Sequence, residues 1–377
     1  MKPRDISDRL TASMRHWRQE LHRRAEIGLD LPRTRRYVRE VLEDIGVDII
    51  STDDDLFVTA VISGGDGPTV LLRADMDALP LDEAPGADCF ADAPGVMHAC
   101  GHDAHTAMLL GAAHILCEKR DTLQGTVRLV FQPGEEGHGG AALMVDAGIC
   151  DGIDAAFALH VAPQLPVGCL AGRPGTQMAS STPFELVVRG AGGHGSTAGT
   201  RETPLLGAAR LALELADVDE QPESSGFVLS VTLLTTGSAS NVISDSAVIR
   251  GTIRAHSTTG EEAGRAALER VVTTTAGVDV NWSGPYAPVL VNDAVVFADA
   301  AAVADQITEG RFLQMPEPLT SSEDFALIAD RVPSALLFIG AGSPEASPVH
   351  TSQFRLDDDC LAVGAAMHAS FASRLLS

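Results

Sequence analysis

The chain has 377 residues, which exceeds the size of one average domain and predicts two. Hydrophobic residues make up 45% of it, enough for a sizeable core. The formal net charge of −24 argues against nucleic acids and anionic membrane surfaces as partners.

Apolar residues recur at helical spacing between positions 6 and 46, which predicts helices at the start of the chain. Runs of β-forming residues then predict four strands, at 57–62, 69–74, 126–131 and 155–160. The Ala/Leu-rich segment 104–118 predicts a buried helix between the second and third of them. Strands alternating with helices indicate an α/β fold, in which functional sites collect where strands end.

The pattern changes after residue 175. Strands are predicted at 184–188, 228–234 and 247–255, and helices at 204–216 and 260–275, as in a compact α+β insert. After about residue 288 the α/β pattern returns, with a buried strand at 335–339 and a final helix from about 357. We therefore expect a domain formed by 1–178 and 288–377, with 179–287 inserted into it.

Six cysteines are scattered along the chain without a dense disulfide pattern, which predicts a reducing compartment. Residues 1–5 are polar and carry no apolar signal core. No run of about 18 apolar residues occurs, so no membrane span is expected. Together these features predict a cytoplasmic protein.

The richest chemistry lies in the segment 96–105, where Cys100 and His102 are separated by a single glycine. In an extended or turning backbone, residues two apart point to the same side, so both can face one ion. Gly101 allows a tight bend without a side chain to crowd that ion. A buried cysteine that binds no metal behaves as a small hydrophobic residue. Taken in isolation, the pair favours a purely structural role about as strongly as a metal site.

Glu135 and Glu136 lie on a Pro/Gly turn after the predicted strand 126–131. On such a turn both carboxylates can face inward, one as a metal ligand and the other holding a proton of water. The alternative is an exposed acidic turn.

Four other residues are candidates for the same chemistry. His160 ends an apolar strand, His350 lies in a loop before the last helix, and Asp75 and Asp77 follow the strand 69–74 one residue apart, so they share a face. Two buried carboxylates need compensating partners, which a metal site with supporting hydrogen bonds provides. Without a metal site, His160 would be a core histidine, His350 would be a surface histidine, and Asp75 and Asp77 would cap a helix.

The possible ligands number five: Cys100, His102, Glu136, His160 and His350. Five side chains exceed a closed tetrahedral zinc site. They suit two ions with Cys100 thiolate as a bridge, and such a pair of ions polarises a carbonyl group and stabilises a developing oxyanion.

These residues resemble the M20 metallopeptidases, in particular the amidohydrolase branch that includes hippurate hydrolases, N-acyl-amino-acid deacylases and plant auxin-conjugate hydrolases. The matching blocks follow the family's order along nearly the whole chain: 73–81, 95–107, 131–136, 159–160, 192–194, 241–243, 251–254, 322–325, and His350 with Phe354.

The resemblance implies a catalytic domain with a central mixed sheet, like the zinc exopeptidases, and an inserted lid domain that also dimerises. It implies that the five ligands hold two divalent ions. The donor types favour zinc or manganese, because thiolate prefers zinc and imidazole and carboxylate also accept manganese, cobalt or nickel. The resemblance also implies Glu135 as general base toward a metal-activated water, Asp77 as the residue that orients a ligand, and His194 as the oxyanion stabiliser. Asn241 and Arg254, together with His194, would bind the substrate.

The leading hypothesis is therefore hydrolysis of a small N-acyl-amino acid by a homodimer, or a tetramer built through the lid. A dipeptidase or aminopeptidase of the same superfamily is the alternative. A non-catalytic metal-binding protein would be expected to lack Glu135, and a cysteine-nucleophile amidase would use Cys100 without a metal.

Overall fold

The computed structural model describes residues 3–86, 88–197, 202–218, 226–282 and 284–377. The chain divides into two compact units. The first comprises Met1–Gln177, Val291–Glu317 and Leu327–Ser377, and the second comprises Met178–Leu290 and Pro318–Ala326. The last of these segments, expected from the sequence in the catalytic domain, joins the second unit because the backbone N–H of Ala179 donates to Leu319 and Ser321 carbonyls, at 3.0 Å each.

The first unit is built on an eight-stranded mixed sheet, which confirms the predicted fold class. Its strands are β1 (Asp48–Ile49), β2 (Val58–Ser63), β3 (Thr69–Asp75), β4 (Thr126–Gln132), β5 (Ala155–Pro166), β6 (Leu170–Gly172), β15 (Phe312–Gln314) and β16 (Ser334–Gly342). Their spatial order is β1-β2-β4-β3-β5-β16-β6-β15. The four central strands β4, β3, β5 and β16 run parallel to one another, and the flanking strands β2 and β6 pair with them antiparallel.

Six helices of the first unit are α1 (Pro3–Arg23), α2 (Pro32–Ile45), α3 (His102–Glu118), α4 (Gly140–Asp146), α7 (Ala294–Ile307) and α9 (Cys360–Leu375). A helix buried on nearly all sides belongs in a core, and α3 is such a helix, as predicted. It approaches α1 and α9 closely at Gly111, where an added Cβ would lie 2.4 Å from Met14 Sδ and 2.9 Å from Ala365 Cβ. None of the described helices is long and apolar enough to span a membrane.

The parallel strands bring chemically important residues to one edge of the sheet. Asp75 at the end of β3 pairs with Gln132 at the end of β4. His160 lies inside β5, which continues to Pro166, and not at a strand end as expected from the sequence; it pairs with Phe338 on β16. Since parallel strands end on the same side, the residues that follow them meet there.

The second unit contains a four-stranded antiparallel sheet in the order β10-β12-β8-β13. These strands are β8 (Thr182–Arg189), β10 (Phe227–Thr236), β12 (Ser246–Ala255) and β13 (Val278–Asn281). Helices α5 (Pro204–Asp217) and α6 (Thr258–Val272) form its core with the sheet. Both begin at the residues expected of N-caps, since Thr203 accepts from Leu206 N–H and Ser257 from Gly260 N–H.

The described residues also form two short strand pairs, one short α-helix and two 3-10 helices, at Arg120–Thr122 and Gly195–Thr197. Strand β9 (Gly193–His194) pairs with β11 (Val242–Ile243), and β7 (Gly175–Met178) pairs with β14 (Leu290–Asn292). Helix α8 spans Ala326–Ala329.

Candidate metal centre

The turn between Cys100 and His102 depends on Gly101. Its φ is +84°, in the left-handed region, and a Cβ there would lie 2.5 Å from Val161 Cγ2. His102 is the first residue of α3. Only glycine therefore lets the chain turn into the helix while the thiol and the imidazole stay together.

His160 meets this turn from β5. Its Nε2 lies 3.4 Å from Cys100 Sγ, and its Nδ1 lies 2.8 Å from the Val161 carbonyl oxygen. Because a carbonyl oxygen only accepts, Nδ1 carries the proton and Nε2 keeps the lone pair that a metal needs.

The two adjacent carboxylates are held by Asp77. One Asp77 oxygen accepts the backbone N–H of Glu135 and the other accepts that of Glu136, both at 3.0 Å. Gly134, with φ of +65°, makes the turn that precedes them. Glu135 and Glu136 are thus fixed by their backbones on a turn directly after β4.

His350 reaches Glu136 from the loop before α9. Its Nε2 lies 3.0 Å from Glu136 Oε1, and its backbone N–H donates to the Ala99 carbonyl at 2.8 Å. It is one of two described non-glycine residues with positive φ, at +62°. A strained backbone next to such a cluster is typical of functional sites.

The five ligand candidates form two sets that share one residue. Ligand atoms of Cys100, His102 and His160 all lie within 4.8 Å of one another, and so do those of Cys100, Glu136 and His350. A thiolate common to both sets has the position of a bridge between two ions. Glu135 forms a further set with His102 and Glu136.

Buried polar atoms in this cluster fit a cation. Among the described residues, the ring nitrogens of His102 make no hydrogen bond of regular geometry, and Oε1 of Glu136 has only its ion-pair contact with His350. Such atoms are costly in a protein interior unless something compensates them. An imidazole nitrogen and a carboxylate oxygen beside a thiol are the donors typical of a divalent transition-metal site.

The two carboxylates at and just after the end of β3, Asp75 and Asp77, both face His102. Asp75 Oδ2 lies 3.7 Å from Nε2 and Asp77 Oδ1 lies 3.4 Å from Nδ1. Burial alone would lower the pKa of His102, but these carboxylates outweigh it and raise that pKa well above the usual value.

The other ligand candidates are also perturbed. Burial raises the pKa of the Cys100 thiol well above its usual value, and burial followed by the nearby His105 lowers the pKa of His160 to about 3. Burial would raise the pKa of Glu136, yet His350 and His102 bring it below the usual value. A metal binding here would displace the thiol proton, so its affinity is pH-dependent.

A network of buried polar side chains packs behind the candidate ligands. It contains Arg73, Asp75, His105 and Gln132, and the sequence motifs assigned no role to most of them. Arg73 donates to Asp75 Oδ2 at 2.7 Å and to Gln132 Oε1 at 2.9 Å. His105 Nδ1 lies 2.6 Å from Asp75 Oδ1, and the Val161 N–H donates to its Nε2 at 2.9 Å. Both nitrogens of His105 are therefore engaged, which excludes it as a ligand in this arrangement. In the sequence, only the Arg-x-Asp spacing on β3 indicates this network of side chains.

The three expected substrate residues lie in the second unit. His194 pairs with Val242 across β9 and β11, and Asn241 accepts the N–H of Gly195 through its carbonyl at 2.7 Å. His194 and Asn241 are both exposed, and His194 Nδ1 lies 2.8 Å from Ser196 Oγ.

Arg254 lies on β12 of the same unit. It donates to the Thr320 carbonyl at 3.3 Å and to Ser322 Oγ at 3.1 Å. It has no carboxylate partner among the described residues, and burial lowers its pKa. A half-buried guanidinium without a carboxylate, in so acidic a chain, is suited to bind an anion.

Comparison with known proteins finds a matching family model, similar hydrolases and a similar solved structure. The model of peptidase family M20/M25/M40 matches residues 71–374. The chain is 37% identical over 374 residues to IAA-amino acid hydrolase ILR1-like 4 of Arabidopsis thaliana, covering 95% of this chain and 84% of that one. It is 33% identical over 366 residues to N-acetylcysteine deacetylase of Bacillus subtilis, covering 94% of each. A solved Bacillus subtilis protein, described as a dinuclear metal-binding peptidase of the M20 family, superposes with a TM-score of 0.82 at 30% identity, covering 98% of this chain and 99% of that one.

Proposed function

Because this chain belongs to peptidase family M20/M25/M40 and is a metal-dependent amidohydrolase, we propose that it cleaves N-acyl-amino acids with Glu135 as general base. The observation that carries this assignment is the sharing of Cys100 by two ligand sets, with Glu135 and Glu136 adjacent on the same turn. The products are a carboxylic acid and a free amino acid.

Two divalent ions held by Cys100, His102, Glu136, His160 and His350 would polarise the scissile carbonyl and acidify a water molecule. The thiolate favours zinc, whereas imidazole and carboxylate also accept manganese, cobalt or nickel. Side chains of the protein carry out proton transfer, positioning and substrate binding.

Glu135 accepts the proton of the attacking water and delivers it to the departing nitrogen, which converts a poor leaving group into an amine. Asp77 supports this transfer indirectly, because it holds the backbone of Glu135 and faces His102. In this assignment Asp77 is a positioning residue that fixes the turn.

In the second unit, Arg254 binds the carboxylate of the substrate's amino-acid part, since it offers a guanidinium without a carboxylate partner among the described residues. Asn241 assists it as a neutral donor. The exposed imidazole of His194 stabilises the oxyanion that forms when the carbonyl is attacked.

We further propose a homodimer, or a tetramer, formed through the second unit. Strand β10 is at the edge of its sheet, and it exposes Leu233 and Leu234 at 37% and 39%. An exposed apolar edge strand favours pairing with another chain. Sedimentation of the wild type and of Leu234→Lys tests this assignment, since a dimer through β10 would dissociate in the variant.

A cytoplasmic location is part of the same proposal. It is supported by the six cysteines, all of which are free thiols.

The function is tested by hydrolysis of acetyl, benzoyl, lauroyl and indole-acetyl amino acids beside a few dipeptides. Metal-stripped protein is compared with protein resupplied with zinc, manganese or cobalt. Acyl-conjugate cleavage that is lost with the metal and restored by it supports the assignment. Cleavage of dipeptides alone would favour the peptidase alternative, and activity that persists in a chelator would favour a cysteine nucleophile.

A further inference from the structure

His105 lies beside the ligand cluster and contacts one of its members. It is 1% exposed on α3, and its ring centre is 4.8 Å from that of His160 at an interplanar angle of 61°. We propose that His105 is a positioning residue that, by holding Val161, selects the tautomer in which His160 offers Nε2 to a metal. This inference rests on the proposed role of His160 as a ligand.

The proton on His105 follows from its two partners. The Val161 N–H can only donate, so Nε2 of His105 must be the unprotonated acceptor at 2.9 Å. The proton of the neutral ring is then on Nδ1, which donates to Asp75 at 2.6 Å. A proton on Nε2 would leave the buried Val161 N–H without an acceptor, which is costly.

The same residue, Val161, then fixes His160. With its N–H held by His105, its carbonyl oxygen lies 2.8 Å from His160 Nδ1. That oxygen only accepts, so Nδ1 is the protonated nitrogen and Nε2 faces Cys100 Sγ at 3.4 Å. His105 thus acts on His160 through the backbone of a neighbour as well as through ring contact.

A relay of hydrogen bonds connects Asp75, His105, Val161 and His160. Its Asp75 end is fixed by charged and polar partners. Asp75 is completely buried and bonded to Arg73, which also donates to Gln132. Thr106, next to His105 on α3, donates to the Asp75 carbonyl at 2.8 Å. These bonds fix the carboxylate to which His105 donates, and the position of His105 is therefore set from both of its nitrogens.

Three substitutions separate the two halves of the relay. In His105→Gln, the terminal amide oxygen is near the position of Nε2 and can still accept from Val161. In His105→Asn, the shorter amide is near the position of Nδ1, so it can donate to Asp75 but cannot reach Val161. His105→Phe keeps the ring volume and removes both bonds.

The readouts are zinc affinity, measured against a chromophoric chelator, and the tautomers of ¹⁵N-labelled histidines in the metal-free protein, measured by long-range ¹H–¹⁵N NMR. The matched control is His368→Gln, because His368 is also 1% exposed and its Nδ1 has no partner within the described chain. Wild type should show the Nδ1–H tautomer at both His105 and His160.

The Asn and Phe variants should bind one of two zinc ions at least about tenfold more weakly, the size of effect typical of residues that orient a ligand. His160 should then populate both tautomers, whereas the Gln variant and the His368 control stay close to wild type. A loss of stability alone, with unchanged zinc affinity and tautomers, would overturn the proposal.

Equal weakening in the Gln and Asn variants would also overturn it. If the variants do not fold, the wild-type spectrum decides, because an Nε2–H tautomer at His105 contradicts the relay. Failure of wild-type protein to bind two zinc ions would instead contradict the proposed metal centre, whatever tautomers are found.

Discussion

The carboxylate of Asp77 faces Nδ1 of His102 at 3.4 Å while both of its oxygens accept backbone N–H groups of the carboxylate turn. One buried side chain therefore links the start of α3 to the turn after β4. The geometry of the proposed ligand His102 and that of the proposed general base Glu135 therefore depend on the same residue.

Replacement of Asp77 by Asn should disturb the geometry of both His102 and Glu135. The amide presents one N–H₂ group where an acceptor is needed, so one backbone donor of the turn loses its partner. We expect zinc affinity and kcat to fall by about 10- to 100-fold, as is typical of residues that orient ligands. Asp82→Asn is the control, because Asp82 accepts a loop N–H from Gly95; equal behaviour of the two variants would contradict the role of Asp77.

Glu135→Gln should separate chemistry from metal binding. It removes the proposed base while preserving the size of the side chain, and general-base catalysis contributes about 10²- to 10⁴-fold. We expect kcat to fall by that factor with two zinc ions still bound, measured by elemental analysis and steady-state kinetics. Glu136→Gln should instead weaken zinc binding, and near-normal turnover in Glu135→Gln would remove Glu135 as the base.

His194→Ala should lower kcat more than zinc content, since the proposed role of His194 is on the oxyanion. Mixing His194→Ala with Glu135→Gln subunits tests whether partners share a site. If they do, each mixed dimer contains one site with both wild-type residues, and activity returns above that of either parent. Verified mixed dimers that stay inactive would indicate a self-contained site.

Gly101 and Gly46 have the same φ of +84° and different surroundings. A Cβ at Gly46 meets nothing within 4 Å, whereas at Gly101 it meets Val161. Gly46→Ala should cost about 1–2 kcal/mol of backbone strain, and Gly101→Ala about 1–3 kcal/mol more from overpacking. Urea unfolding of the metal-free variants measures both, and equal losses would contradict the close contact.

Gly101→Ala should also impair zinc binding, because the turn that joins Cys100 to His102 must shift. Gly46→Ala, at the end of α2, should bind zinc like the wild type.

His22 gives a pH-dependent contribution to stability. Burial disfavours its charged form, but hydrogen bonds to Asp103 at 2.8 Å and Glu83 at 3.1 Å prevail and raise its pKa to about 9. Arg18 shares Asp103, and the neutral His98 ring lies 5.9 Å away. A pKa raised on folding stabilises the protein below the unfolded value of about 6.5, and that stabilisation is lost as the pH rises to about 9.

The measurement is the unfolding free energy of wild type and His22→Gln between pH 6 and 10. The difference between them should shrink as the pH rises, by at most about 3.5 kcal/mol at about 1.4 kcal/mol per pKa unit. A difference that is constant with pH would show that folding does not raise the pKa of His22.

The local features of the site could be predicted from residue spacing. The separation of Cys100 from His102 by glycine predicted a tight turn, and Gly101 makes it. The buried helix expected at 104–118 is α3, although it begins at His102, because a helix can start directly after a left-handed glycine. Helix α7 was missed by the sequence patterns, although Asp293 caps it through Val295 and Val296 N–H groups.

The sequence by itself determined the chemical groups of the site and the local turns that carry them, because donors, acceptors and backbone freedom belong to residue types. Tertiary structure decided which nitrogen carries the proton in His105 and in His160. The bond from Val161 to His105 joins residues 56 positions apart, and it exists only because the parallel strand β5 passes beside α3. A proton's place on a ring depends on such distant partners, which spacing along the chain does not specify.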